Sequence, residues 1–140
     1  MQKVANVADL DSKILARELG RLGGFGARWT AKLLPSVPFE MHIELEESPL
    51  VTATIVESLL TKIGRSIPEL TSDASAGLFS AVVGSGYLNL NPTIVRIQLR
   101  SLESRTSIFI RAVAKEGAIK QHSARSAVER IKAALLDEAR

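Results

Sequence analysis

The ionisable side chains that could do chemistry in this 140-residue chain are few and scattered. Its two histidines, His42 and His122, stand some eighty positions apart, and there is no cysteine. Disulfides, thiolate nucleophiles and zinc ribbons are therefore excluded. His42 lies between Glu40 and Glu44 at a spacing of two. On a strand, that places one nitrogen and two oxygen donors on a single face, the minimum for a metal ion. Alternating polar residues are also what any solvated strand face shows, and no metal site is assigned. His122, with Lys120, Gln121 and Ser123, precedes an apolar helical pattern, where free amides can hold an anion or simply be capped.

Gly84 and Gly86 complete neither a GxxxxGK[ST] nor a GxGxxG pattern, and no serine lies in GxSxG. No catalytic residue and no cofactor is expected, and the chain reads as non-enzymatic. What remains is charge. Net charge is +3 overall, but it is distributed as +3 over residues 1–35, −5 over 36–76 and +5 over 77–140. Arg96 and Arg100 share one face of a candidate strand, Arg111 and Lys115 share a face of the next, and Phe109 is the one ring in either. Such rows can follow phosphates, although single-strand recognition also requires aromatic platforms. These five residues are the candidate binding set for an anionic ligand or nucleic acid.

The elements that would position them follow from periodicity. Leu10, Ile14, Leu15, Leu19 and Leu22 predict a helix over 8–22, with Asp9 or Asp11 as its cap. Gly20, Gly23, Gly24 and Gly26 then predict a hinge. Phe25 to Leu34 is an apolar run with Arg28 and Lys32, containing the single Trp29. It suits docking on a domain or subunit, or weak membrane association through this arm. From Phe39 the period is two, with Met41, Ile43 and Leu45 opposite Glu40, His42, Glu44 and Glu46.

Ser48-Pro49 predicts a capped helix start, and Gly64 its end, with a buried stripe of Val51, Ile55, Leu59 and Ile63 flanked by Val56 and Leu60. Residues 68–76 form a polar connection. Strands are expected at 77–83, at 87–91 after a Gly84-Ser85-Gly86 turn, at 93–100 and at 107–115, with Asn91-Pro92 as a break. Ala124, Ala127, Val128, Ile131 and Leu135 predict a last helix from Ser123.

Each strand has one apolar face and each helix one stripe. The economical fold is α+β, an antiparallel sheet with two helices on one face in the order β-α-β(3-4)-α, preceded by a helical N-terminal arm. The division is an arm over 1–35 and an α+β domain over 36–140. This order resembles, in architecture alone, the TATA-binding-protein-like arrangement of β, α, four β, α, and no sequence family is recognised. The resemblance places the first strand beside the last, so that Glu40, Glu44 and Glu46 neutralise Arg111 and Lys115 across the ladder.

Met1 to Leu10 contains Lys3, Asn6 and Asp9, and no apolar stretch approaches the ~20 residues of a membrane span. The expectation is a cytoplasmic protein that binds another protein or itself. The alternative is an anionic-ligand or nucleic-acid module on the basic strand face. The sequence names no specific activity.

Overall fold

The computed structural model describes residues 7–21, 34–85, 91–117 and 121–139. Residues 7–21 form helix α1. Then follow β1 (Ser36–Leu45), α2 (Pro49–Ile63), β2 (Gly64–Arg65), a 3-10 turn (Ala74–Ala76), β3 (Leu78–Ser85), β4 (Asn91–Ser101), β5 (Thr106–Lys115) and α3 (Ser123–Glu138). The strands form one antiparallel sheet in the order β1-β5-β4-β3-β2. The first strand therefore lies beside the last. The fold is α+β, with α2 and α3 on one face.

That inner face holds the main core. Val95, Ile97, Ile108, Ile110 and Ala112 meet Val56 and Leu60 of α2 and Ala127, Val128, Ile131 and Leu135 of α3, all buried, while Met41, Ile43, Ile55 and Leu59 pack at the edge. Alternation along β4 and β5 sends Ile94 and Val113 to the opposite face. There they join Val82, Ile67 and Leu70 in a second cluster, closed by Ile14 and Leu15 of α1. The sheet thus lies between two helical layers, and α1 supplies the outer one.

Local chemistry fixes the ends of the elements. Ser48 caps α2 by accepting from the Val51 amide at 3.2 Å, with Pro49 in the first turn. Gly64 ends the helix and passes directly into β2. A Cβ there would lie 2.7 Å from the Val82 carbonyl oxygen, so only glycine lets α2 turn so tightly onto β3. Gly77, with φ 71°, takes the left-handed turn that returns the chain into β3.

Several expectations are corrected. Neither Asp9 nor Asp11 is a helix cap: both sit inside α1, Asp9 exposed and paired with Lys13, Asp11 buried on the sheet-facing side. The central buried line of α2 is Thr52, Val56 and Leu60, a rotation of about one residue from the expected stripe, and Val51 is exposed. The helix presents a broader face than its largest residues imply. β1 begins at Ser36 and runs through Pro38, which an edge strand tolerates because one side of its ladder is unpaired. Gly84 and Ser85 continue β3 and pair with Pro92 and Asn91, so Asn91-Pro92 opens β4 rather than breaking the ladder. Only β3 is paired to Pro92, and its missing N–H costs no bond to β5, whose pairing begins at Thr93. The hinge glycines beyond Gly20, the Phe25–Leu34 run except Leu34, and the expected strand over 87–90 lie outside the described residues.

The start of α3 is fastened without an N-cap side chain. His122 adopts φ 52° and makes no capping bond, while the Glu116 carboxylate accepts from the Ser123 and Gln121 amides at 2.7 and 3.0 Å. An internal carboxylate thus occupies the place that an external anion would take. Asn91 completes the joint, donating to the Lys115 carbonyl at 3.0 Å and the Ser123 hydroxyl at 2.7 Å.

Candidate functional site

The strand register lays out the outer face in rows. Ser80, Arg96, Arg111 and Glu40 lie side by side across β3, β4, β5 and β1. The next row is Leu78, Gln98, Phe109 and His42, and beyond it stand Arg100, Ser107 and Glu44. In the other direction come Val82, Ile94 and Val113, which α1 covers, with the exposed Pro38 beside them on β1, and then Lys115 near the end.

Arg96 makes a bidentate pair with Asp11, both nitrogen to oxygen distances being 2.7 Å, with the carboxylate almost fully buried. Arg111 pairs with Glu40 at 3.0 Å in an exposed bridge. Lys115 is only 4% exposed and donates to the Ser12 hydroxyl at 2.6 Å and the Leu34 carbonyl at 2.8 Å. No carboxylate bridges it among the described residues. Burial pushes its ammonium below the usual lysine range. Arg100 is exposed and makes no side-chain bond among the described residues.

The five candidate residues are therefore only partly brought together. Arg96, Arg111 and Phe109 line one cleft of about 430 Å³ with Val7 and Leu10 of α1 and Leu78 of β3. Arg100 lies beyond it at one end, and Lys115 is covered at the other. The walls are apolar and open to solvent, with Val7 48%, Leu78 39% and Phe109 38% exposed. On the rim, Arg17 bonds Glu69 and holds its carboxyl below the usual carboxylate range.

His42 and Phe109 form a T-shaped pair with centroids 6.5 Å apart and planes inclined at 75°, and the His42 Nε2 bonds the Ser107 hydroxyl. A histidine against a serine is the start of a nucleophile and base pair, but activation also needs a group to orient the imidazole. The neighbouring carboxylates are engaged elsewhere, Glu40 by Arg111 and Glu44 by Arg105 at 2.8 Å. Among the described residues, no three histidine, aspartate or glutamate side chains gather at metal-binding distance.

Sequence reasoning missed Asp11, Ser12 and Leu78. Asp11, Ile14, Leu15 and Glu18 fall at spacings of three, one and three, on one side of α1. Two carboxylates on the apolar side of a helix are the signal that its docking surface carries cations. That signal was available and pairs with the arginines found opposite.

No protein-family description and no curated protein matches the sequence. Among solved structures, the chain is similar to one described as "Crystal structure of Ara h 8.0201", at 11% identity and a TM-score of 0.39, over 75% of this chain and 95% of that one. A likeness at that level carries no argument about function. No described helix is long and apolar enough to cross a membrane.

Proposed function

We propose that the chain is a non-enzymatic binding module that associates with another copy of itself through the uncovered half of its outer sheet face. The observation that carries this reading is that α1 covers Val82, Ile94 and Val113 but leaves Leu78 and Phe109 beside Val7 in an open apolar cleft. Apolar positions grouped on a surface with neutral surroundings favour protein contact. The arginines at this cleft are matched by Asp11 and Glu40, so two such surfaces would not repel each other.

The same pairing weighs against a phosphate track. Non-specific affinity for nucleic acid grows with the number of cations released to phosphates. Of the four basic residues on these strand faces, Arg96 and Arg111 are held by carboxylates and Lys115 is covered.

Sedimentation equilibrium across a wide concentration range tests the proposal. The wild-type chain should show a mass rising with concentration, and Phe109→Asp should return it to a monomer whose thermal midpoint matches that of the wild type at dilutions where both are monomeric. A wild-type chain that stays monomeric throughout, or a variant that associates as before, would overturn self-association through this face.

A further inference from the structure

We infer that a second cleft, at the opposite end of α1 from the Phe109 surface, binds a small organic anion with an apolar body. The cleft measures about 430 Å³ and lies where α1, the α2–β2 junction, β3 and the start of β4 converge. That volume falls in the range of about 300–1,000 Å³ usual for small-molecule sites. Two chemistries line it: Arg21, Lys62 and Arg65, from three different elements, and the apolar Ile63, Val82 and Pro92.

The charge does not balance within the cleft. Glu18 is the one carboxylate in its lining, against three cations. It is buried, 3% exposed, bonded by Arg65 and approached by Arg17 and Arg21 at 3.6 Å each. Arg17 lies outside the lining and is answered by Glu69. Lys62 makes no side-chain bond among the described residues. The C-terminal end of α2 adds the equivalent of about half a negative charge, which still leaves a positive surplus.

That surplus is placed to be used. The Arg21 and Arg65 side chains are 60% and 49% exposed, so their guanidinium groups can reach solvent and an incoming ligand. Planar guanidinium groups favour carboxylate and phosphate oxygens, and a lysine adds a mobile point charge. A carboxylate or phosphate head would lie among these three, with an aliphatic body along Ile63, Val82 and Pro92.

The test uses the full chain at low ionic strength, with octanoate, octanol and inorganic phosphate as probes, followed by backbone amide chemical shifts and calorimetry. Octanoate should shift the Gly64, Val83 and Gly84 amides and bind at least about tenfold more tightly than octanol or phosphate, since only it meets both chemistries. Lys62→Ala should weaken octanoate by about fivefold, the scale of one partly exposed charge, whereas Lys132→Ala, a charge-matched change outside the cleft, should not. Glu18→Gln should tighten octanoate, because it removes the competing carboxylate; if that variant does not fold, the Lys62 comparison still decides. Octanol or phosphate binding as well as octanoate, equal effects of the two lysine variants, or no shift at these amides would overturn the inference.

Discussion

Asp11 and Arg96, 85 positions apart, meet in a bidentate pair with both bonds at 2.7 Å, and this contact fixes α1 over the middle of the sheet. Asp11 approaches from the helix with its carboxylate enclosed, whereas Arg96 keeps 31% of its side chain in solvent. The same helix is bound by Glu18 to Arg65, Arg17 to Glu69 and Ser12 to Lys115. Ile14 and Leu15 lie between these polar ties. The outer layer is therefore positioned by charge and held by apolar burial.

The difference in burial makes the two ends of the pair unequal. Arg96→Ala leaves a desolvated carboxylate alone and should cost about 2–4 kcal/mol, whereas Asp11→Ala leaves a partly hydrated guanidinium and should cost less. Arg96→Lys should recover little of the loss, because an ammonium cannot make the two parallel bonds. Chemical denaturation of the two single variants and the double variant measures this. Equal losses for the two single substitutions would show that the pair is not buried in solution as described.

Most of the fold was legible because hydrophobic period reports burial on one side. The strand alternation identified β1, β4 and β5, and the last helix's whole buried line, Ala124 to Leu135, was read correctly. Asn91-Pro92 misled because proline's penalty depends on which neighbour needs its N–H, a tertiary fact. The outer face was harder. Its cations and Phe109 could be placed on one side of the strands from sequence, but their partners come from α1, far away in the chain. The two carboxylates on that helix were the available clue, and Asp11 was given a local capping role instead of a distant partner.

Lys115 gives the stability a specific pH dependence. Its ammonium is desolvated, so its folded pKa lies below the unfolded value near 10.4. At pH values under both, folding carries the full cost of burying the charge. As pH rises from the folded pKa toward the unfolded one, the unfolded chain binds more protons and stability increases, levelling above the unfolded value. The stability of the wild type relative to Lys115→Met should therefore climb on the alkaline side, by no more than about 1.4 kcal/mol per pH unit. Urea unfolding at several pH values between neutral and 10.5 checks it. A constant difference between the two proteins would mean that the amine is hydrated.

Register decides which cross-strand charges interact. The expectation that Glu40, Glu44 and Glu46 neutralise Arg111 and Lys115 holds for Glu40 and Arg111 alone, since Glu44 stands opposite Ser107 and bonds Arg105, and Lys115 bonds Ser12 and Leu34. Both side chains of the Glu40–Arg111 pair are largely exposed, so a double-mutant cycle should give about 0.2–1 kcal/mol of coupling, shrinking as salt is added. The same cycle on Glu44 and Arg111 should give about zero by the additivity of residues without shared partners. Coupling as large for Glu44 as for Glu40 would contradict the register.

Removing residues 1–24 separates the contributions of the two helical layers. The inner core, from Val56 and Leu60 through Ile97 and Ile110 to Ile131 and Leu135, receives nothing from α1. The truncated chain should therefore keep a single cooperative thermal transition. It should nevertheless be less stable, because Ile14 and Leu15 are lost and Val82, Ile94 and Val113 become exposed. The two lost side chains represent about 3–6 kcal/mol of gross apolar burial, which the entropy of ordering α1 partly offsets, leaving a smaller net loss. Arg96 loses Asp11 and Lys115 loses Ser12 while keeping the Leu34 carbonyl, and with α1 gone both charges are opened to water, so the truncation does not leave unpaired buried charges behind. The uncovered Ile94 stripe should bind an apolar fluorescent dye that the full chain excludes. Calorimetry and dye titration of the two chains together decide the matter. A truncated chain with no cooperative transition would show that the outer layer is required for the sheet to form, and one that melts with the full chain and binds no extra dye would show that α1 does not cover the sheet in solution.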